Sequence, residues 1–317
     1  MQLDLFSDNR RTILLNDAGA MLRSLDLEKA ISVYAGLLDD SPGDREILRL
    51  KRTVGQWLDT LAKFRVSPLG SERLHELWLQ LKGDTPPLLA DGILRILIDE
   101  LEELPAPELI YHPPRFHIGV MMLSAGRYAE AEQWFAKALG GGIEKQARFL
   151  AWRGDALTLD GEKARARESY LAAFLDGPRD VEIESIKSRT IRGLLFSLES
   201  EYGDEAGDDT VSWLPVWGWL HGEFSLAMGE ITRDRNTFRL FLEESERSGN
   251  IPLPRLWFEY LRYGEFLRTL NRDDRELVRI RRRMRDLCGI MFDRYMAKIK
   301  GQLEIGVNSG VIYYSQI

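Results

Sequence analysis

Two stretches of the chain repeat each other at a constant spacing of 35 residues. The recurring residues are small or aromatic, and each member of the first stretch has a counterpart in the second. The pairs are Gly119 and Gly154, Gly126 and Gly161, Ala131 and Ala166, Phe135 and Tyr170, and Ala138 and Ala173. A period of this length is typical of helical arrays, in which a single helix pair cannot bury its apolar face alone. The spacing therefore predicts an all-α fold and favours binding over catalysis.

A third and weaker copy covers residues 11–44. Five of its residues fall in phase with residues of the stronger copies. They are Ala18, Met21, Ala30, Tyr34 and Pro42. The segment 24–26 is predicted to turn between its two helices, and Pro42 with Gly43 is predicted to end the second.

The remainder of the chain has helical periodicity with few strand-like alternations. Further helices are predicted over 45–64, 71–81, 87–104, 181–202, 212–228, 233–247, 254–270 and 272–300. A different pattern follows, in which two short apolar runs flank Asn308 and Gly310, and it predicts a short hairpin or an extended tail. The predicted layout is an N-terminal arm (1–10), helical pairs (11–110), two repeat units (111–180), a C-terminal helical region (181–300) and the tail (301–317).

The two strong copies resemble the tetratricopeptide repeat family. Gly119 matches the small residue where paired helices approach, Gly126 to Tyr128 match the turn, and Phe135 matches the packing aromatic of the second helix. The second copy departs from the family pattern at Lys163 and Arg153, where an aromatic and an aliphatic residue are usual. The resemblance implies a right-handed α-solenoid of antiparallel helix pairs.

In that family the first helices line a concave face that holds a peptide or a partner helix. The resemblance places eight residues on this face: Phe116, His117, Val120, Ser124, Arg148, Trp152, Asp155 and Leu159. The variant that grips a carboxylate-ended tail is not matched, because Leu15 and Gly19 occupy positions where polar groups are needed. The implied function is that of a non-enzymatic scaffold or adaptor for a protein partner.

The segment Gln2, Leu3, Asp4, Leu5 and Phe6 resembles the peptide by which bacterial replication and repair proteins bind the sliding clamp. In such peptides Leu and Phe enter apolar pockets while Gln anchors the entry. This resemblance implies an alternative function, a clamp-associated accessory of DNA replication or repair. A purely structural interpretation also stands, in which Leu5 and Phe6 staple the start of the first helix.

The composition of the chain bears on its ligands and on its cellular compartment. The net charge of −7 argues against extensive direct nucleic-acid binding, since phosphate contact needs clustered positive charge. One cysteine, Cys288, allows no intramolecular disulfide and fits a reducing compartment. The start of the chain lacks the layout of a signal peptide, and no apolar run approaches the roughly 18 residues of a membrane span. We expect a cytoplasmic protein without membrane segments.

Three other patterns each have a structural interpretation that we favour. A basic run over 279–285 is interpreted as a salt-bridged surface helix rather than a phosphate site. The spacing of Trp213, Trp217 and His221 indicates a core stripe more than a partner groove. The glycines at 140–142 lack a phosphate-loop ending and indicate a helix cap and a hinge.

Catalytic patterns are scarce. Glu76 follows His75 but no second histidine completes a zinc-protease motif, and prolines separate His112 from His117. Cys288 has no histidine nearby in the sequence that would serve as its base. We therefore expect no bound cofactor, no metal and no enzymatic activity. An enzyme site within the C-terminal third stays open as a further alternative.

Overall fold

The computed structural model describes residues 2–64, 70–83, 85–270 and 275–301. Within these ranges the chain is helical and has no β-strand, apart from one isolated bridge between His112 and Phe116. The predicted all-α class is confirmed. The chain divides into two compact units, residues 1–143 and 144–317, so the division falls between the two strong repeat copies.

In the N-terminal unit most helices pack against a helix next to them in the sequence. Its helices are α1 (Gln2–Arg23), α2 (Leu27–Asp40), α3 (Arg45–Phe64), α4 (Ser71–Leu81), α5 (Pro87–Glu102), α6 (Ile118–Ser124) and α7 (Tyr128–Gly140). Helix α1 begins at Gln2, so residues 2–10 of the predicted arm are helical along their backbone. Asp44 starts α3 by accepting hydrogen bonds from the backbone of Glu46 and Ile47, at 3.0 and 3.2 Å.

Helices α6 and α7 form the first strong repeat. A methyl group on Gly119 would lie 2.5 Å from a ring carbon of Phe135, so only glycine permits this approach of the two helices. Gly126 turns the chain between them with a φ of +75°, in the left-handed region that glycine adopts without strain. The small–large packing predicted from the sequence is therefore present.

The C-terminal unit begins with the second strong repeat. Its helices are α8 (Gln146–Leu159), α9 (Lys163–Asp176), α10 (Arg189–Ala206), α11 (Leu214–Leu220), α12 (Gly229–Arg233), α13 (Arg235–Ser248), α14 (Leu253–Leu270), α15 (Arg275–Leu287) and α16 (Gly289–Ile299). Gly154 meets Tyr170 as Gly119 meets Phe135, with an added methyl group 2.9 Å from the ring. Gly161 turns the chain with a φ of +87°.

Three helix predictions beyond this repeat were wrong in extent. The segment expected to be helical from 181 begins with a 3-10 turn at Ile183–Ser185, and α10 starts only at Arg189. The helix expected over 212–228 shortens to α11, because Phe224 folds back against Gly218. The helix expected over 272–300 is interrupted at Cys288, whose backbone is extended.

Helix α14 is the centre of the C-terminal unit. It packs against α11, α13 and α15, and most of its side chains are buried. Its buried charges are compensated locally: Arg262 donates to Glu259 at 2.6 Å, and Tyr295 donates to Glu265 at 3.0 Å.

No helix in the described residues is long and apolar enough to cross a membrane. The expected hairpin or tail lies outside them, except for Gly301.

Candidate functional site

The predicted partner face of the N-terminal unit lies mostly in the interior. Phe116, His117 and Val120 are buried, and only Ser124 keeps part of its surface exposed. Phe116 packs against His75, with ring centroids 5.1 Å apart, and His75 stacks on His112 at 5.0 Å. These contacts belong to the same unit and place the Phe116 ring in its interior.

His117 has a structural role at the start of α6. Its Nδ1 accepts a hydrogen bond from the Gly119 amide at 3.0 Å, its Nε2 lies 2.9 Å from the Glu108 carbonyl, and its ring stacks on Phe135. Burial lowers the pKa of His117 to about 4, against a smaller opposing effect of the Glu108 hydrogen bond. The ring is therefore neutral at pH 7 and caps the helix.

In the C-terminal unit, Trp152 and Asp155 are also buried. Asp155 accepts hydrogen bonds from the Tyr170 hydroxyl at 2.6 Å and from the Lys187 amide at 2.7 Å. Arg148 is half-buried and donates to the Asp180 carbonyl at 3.3 Å. Residues 178–188 thus cover the face of α8 that was expected to bind a partner, and of the four predicted residues only Leu159, at 40% exposure, is fully at the surface.

The aromatic stripe of α11 is core, as the favoured interpretation held. Trp213 and Trp217 are buried, and Trp217 donates its indole N–H to Ser197 at 2.8 Å. His221 packs on Trp217 with ring centroids 4.9 Å apart. This stripe therefore presents no aromatic groove to a partner.

The basic run of α15 is partly neutralised by acidic neighbours. Arg279 pairs with Glu276 at 3.5 Å, and Arg283 pairs with Glu246. A cavity of about 240 Å³ is lined by Arg279, Arg283 and Glu246, together with Tyr260, which donates to Glu246 at 2.7 Å. The carboxylates of this cavity engage guanidinium and phenol groups. The arrangement is therefore an ion-pair network and not a pair of groups of which one acts as a general acid and the other as a general base.

The described residues include potential metal ligands and one cysteine thiol. Nowhere in them do three or more His, Cys, Asp or Glu side chains come together as a metal site requires. Cys288 is half-buried, and its Sγ lies 3.3 Å from the Tyr202 hydroxyl. Burial, followed by the Cys288 contact, raises the pKa of Tyr202 above its usual range, so the phenol is neutral.

The clamp-like pentapeptide is helical along its backbone, because α1 begins at Gln2. Its side chains lie outside the described residues. The clamp resemblance stays a prediction.

A basic groove, which sequence reasoning missed, lies between α2 and α3 in the N-terminal unit. It has a volume of about 790 Å³ and is lined by Ile31, Arg45, Leu48, Arg49, Lys51, Arg52 and Gly55. Arg45, Arg49 and Arg52 follow the i, i+4, i+7 spacing that places side chains on one helix face. That spacing is visible in the sequence, but it was used only to predict a helix over 45–64.

The charges of this groove are poorly compensated. Among the described residues, Arg45, Lys51 and Arg52 have no carboxylate within 4.0 Å. The nearby Asp44 carboxylate is engaged elsewhere, since it pairs with Arg11 at 2.7 Å and caps α3. Leu48 is 46% exposed within the groove. The groove therefore offers apolar contact beside the cationic groups of Arg45, Lys51 and Arg52, which suits a ligand with both acidic and apolar groups.

No protein-family model, curated protein or solved structure matches the chain.

Proposed function

We propose that this protein is a non-catalytic, tetratricopeptide-like helical scaffold, and that it binds an acidic segment of a partner protein in the groove between α2 and α3. The observation that carries the proposal is the row of Arg45, Arg49 and Arg52 around the exposed Leu48. The repeated packing of Gly119 on Phe135 and Gly154 on Tyr170 supports the repeat architecture. The binding surface differs from the one that the family resemblance implied.

A peptide suits the groove better than a nucleic acid does. Single-stranded nucleic acids are usually held by aromatic side chains on which bases stack, together with cations. The described lining of this groove contains Leu48 and Ile31 but no aromatic residue. An acidic peptide with an apolar residue uses both components, with Leu48 as the apolar contact and the guanidinium groups as partners for carboxylates.

Charge reversal tests the groove. Arg45→Glu with Arg52→Glu is expected to weaken binding of a fluorescein-labelled peptide of alternating Glu and Leu by about tenfold or more, since two attractive contacts become repulsive. Fluorescence anisotropy measures the dissociation constant, and binding of the wild type should weaken with added salt. The surface location of both arginines leaves the fold intact, which circular dichroism checks.

The matched control is Arg282→Glu with Arg285→Glu, which changes net charge equally on the exposed face of α15. We expect this variant to bind the peptide within twofold of wild type. No binding by the wild type, or equal losses in both variants, contradicts the proposed groove. Tighter binding of a labelled oligodeoxythymidine than of the peptide, lost in the groove variant, assigns the surface to nucleic acid instead.

A second candidate function rests on the sequence of residues 2–6, and we propose it as the alternative. In this case Leu5→Ala with Phe6→Ala abolishes binding to the purified bacterial sliding clamp, because both apolar anchors are lost. Surface plasmon resonance with immobilised clamp measures this, and Ser7→Ala with Asp8→Ala is the control. A wild-type chain that does not bind the clamp rules this function out.

A further inference from the structure

A second basic cavity lies in the C-terminal unit, within the repeat formed by α8 and α9. Its volume is about 310 Å³. It is enclosed by the end of α8, the first turns of α9 and the segment that begins α10, and its lining residues are Thr158, Lys163, Ala166, Arg167, Tyr170, Lys187, Ser188, Arg189 and Thr190. Tyr170 and Ala166 are buried and form its inner wall. This volume lies at the lower end of the range for small-molecule pockets.

Four cations surround this cavity, and three have no counter-charge. Among the residues that the structure describes, Lys163, Lys187 and Arg189 have no carboxylate within 4.0 Å. Arg167 pairs with Glu223 at 2.9 Å. Arg247, elsewhere in the unit, pairs with Glu244 at 3.0 Å. Converging free cations repel each other, and an anion bound among them relieves that repulsion.

The wall behind the cations is organised by hydrogen bonds. Asp155 lies behind Tyr170, accepts its hydroxyl hydrogen bond and also accepts the amide of Lys187. Burial, with a further contribution from Asp155, raises the pKa of Tyr170, so the phenol remains a neutral donor. This arrangement ties the segment that carries Lys187 and Arg189 to the α8–α9 pair and brings cations from distant positions together.

The polar groups of the cavity include hydroxyls as well as cations. Ser188 accepts a hydrogen bond from the Ile191 amide at 3.4 Å, which leaves its hydroxyl hydrogen able to donate. Thr190 adds a further hydroxyl to the lining, whereas the Thr158 hydroxyl donates to the Gly154 carbonyl at 2.8 Å. Helices α9 and α10 begin at Lys163 and Arg189, so the positive ends of both helix dipoles face the same region. Cations and hydroxyl donors together match the several acceptor oxygens of a phosphate group.

We propose that this cavity binds the phosphate group of a small phosphorylated molecule. Lys163, Lys187 and Arg189 supply the charge, Ser188 supplies a hydroxyl donor, and Tyr170 with Ala166 forms the inner wall against the remainder of the ligand. The shallow volume accommodates a phosphate with one small organic group rather than a long polymer. The site lies in a different unit from the α2–α3 groove and shares no residue with it.

The probes are inorganic phosphate and glycerol 3-phosphate, titrated into the full-length protein by isothermal titration calorimetry. We expect both to bind and glycerol 3-phosphate to bind tighter. Lys187→Gln with Arg189→Gln is expected to weaken both by tenfold or more, because two charge-assisted contacts are lost. Arg192→Gln, three positions beyond Arg189 on the exposed side of α10, is the control and should bind within twofold of wild type.

The outcomes of this titration decide whether the cavity binds phosphate. Absence of binding by the wild type, or binding unchanged in the double variant, overturns it. If a phosphoserine peptide binds more than tenfold tighter than free phosphoserine, the ligand of this cavity is a phosphorylated protein and the small-molecule proposal is wrong. Thermal melting by circular dichroism checks that the variants fold, and Ser188→Ala supplies a milder variant that should also weaken phosphate binding. The groove variant with Arg45→Glu and Arg52→Glu should bind phosphate normally, so the two proposals fail independently.

Discussion

Gly119→Ala is expected to lower the free energy of unfolding of the N-terminal unit by about 2 kcal/mol, although alanine is the better helix former. The added methyl group would lie 2.5 Å from a ring carbon of Phe135, which is fully buried and has no room to move. Overpacking of this kind costs about 1–3 kcal/mol in well-packed cores. The free energy of unfolding of this unit is measured by urea denaturation, with hydrogen exchange in peptides from residues 2–143 as the probe.

Two further variants isolate the contact. Gly36→Ala, in the exposed part of α2 with no atom within 4 Å of the added methyl group, is expected to stabilise the same unit by about 0.5–1 kcal/mol. In a Phe135→Leu background, the cost of Gly119→Ala should shrink, because the smaller side chain leaves space. Additive effects of the two substitutions would show that the ring is not what excludes the methyl group.

The repeat makes the same prediction for the C-terminal unit. Gly154→Ala should destabilise it, because the methyl group would lie 2.9 Å from the Tyr170 ring. Gly193→Ala in α10, where the added methyl group meets no atom within 4 Å, is the control. A smaller cost than for Gly119→Ala is expected, in line with the longer distance.

Acidification is expected to destabilise the N-terminal unit through His117. Burial lowers the pKa of His117 to about 4, whereas an unfolded histidine titrates near 6.5. Between these values the unfolded state binds the proton and the folded state does not. The stability contribution is therefore complete above about pH 6.5 and is lost as the pH falls towards 4, by about 3 kcal/mol in total.

His117→Asn separates this contribution from that of the carboxylates. Asparagine still offers an oxygen acceptor to the Gly119 amide but does not titrate. The variant should be less stable at pH 7, since ring packing on Phe135 is lost, yet its stability should depend less on pH between 6.5 and 4. NMR titration of the His117 ring protons gives the folded pKa directly, and a midpoint near 6.5 would contradict the buried, neutral assignment.

The sequence predicted local structure best where residue types recur at a fixed spacing. Gly126 and Gly161 adopt the positive φ that a tight turn between paired helices requires, and the aromatic partners meet the paired glycines as expected. Helices over 45–64 and 71–81 were also predicted with their observed bounds. Periodicity succeeds here because helix formation and close pairing depend on residues within about one repeat.

The sequence could not predict in the same way which residues of the expected binding face are exposed. The pattern of α8 shows which side chains are apolar, but not that residues 178–188 fold back so that Asp155 accepts the Lys187 amide. Burial of Trp152 follows from packing, while the same side chain on a free helix face would be a good partner contact. The basic spacing in α3 was visible, but its lack of nearby carboxylates was not.

By itself the sequence determined an all-helical chain with a repeated glycine–aromatic contact, because these features depend on neighbours within 35 residues. Only the tertiary structure decided which surfaces remain open. It covers most of the expected face, and it brings Lys163 beside Lys187 and Arg189 in one cavity. The physical reason is that exposure and charge compensation depend on segments that meet after folding, which helical periodicity alone does not encode.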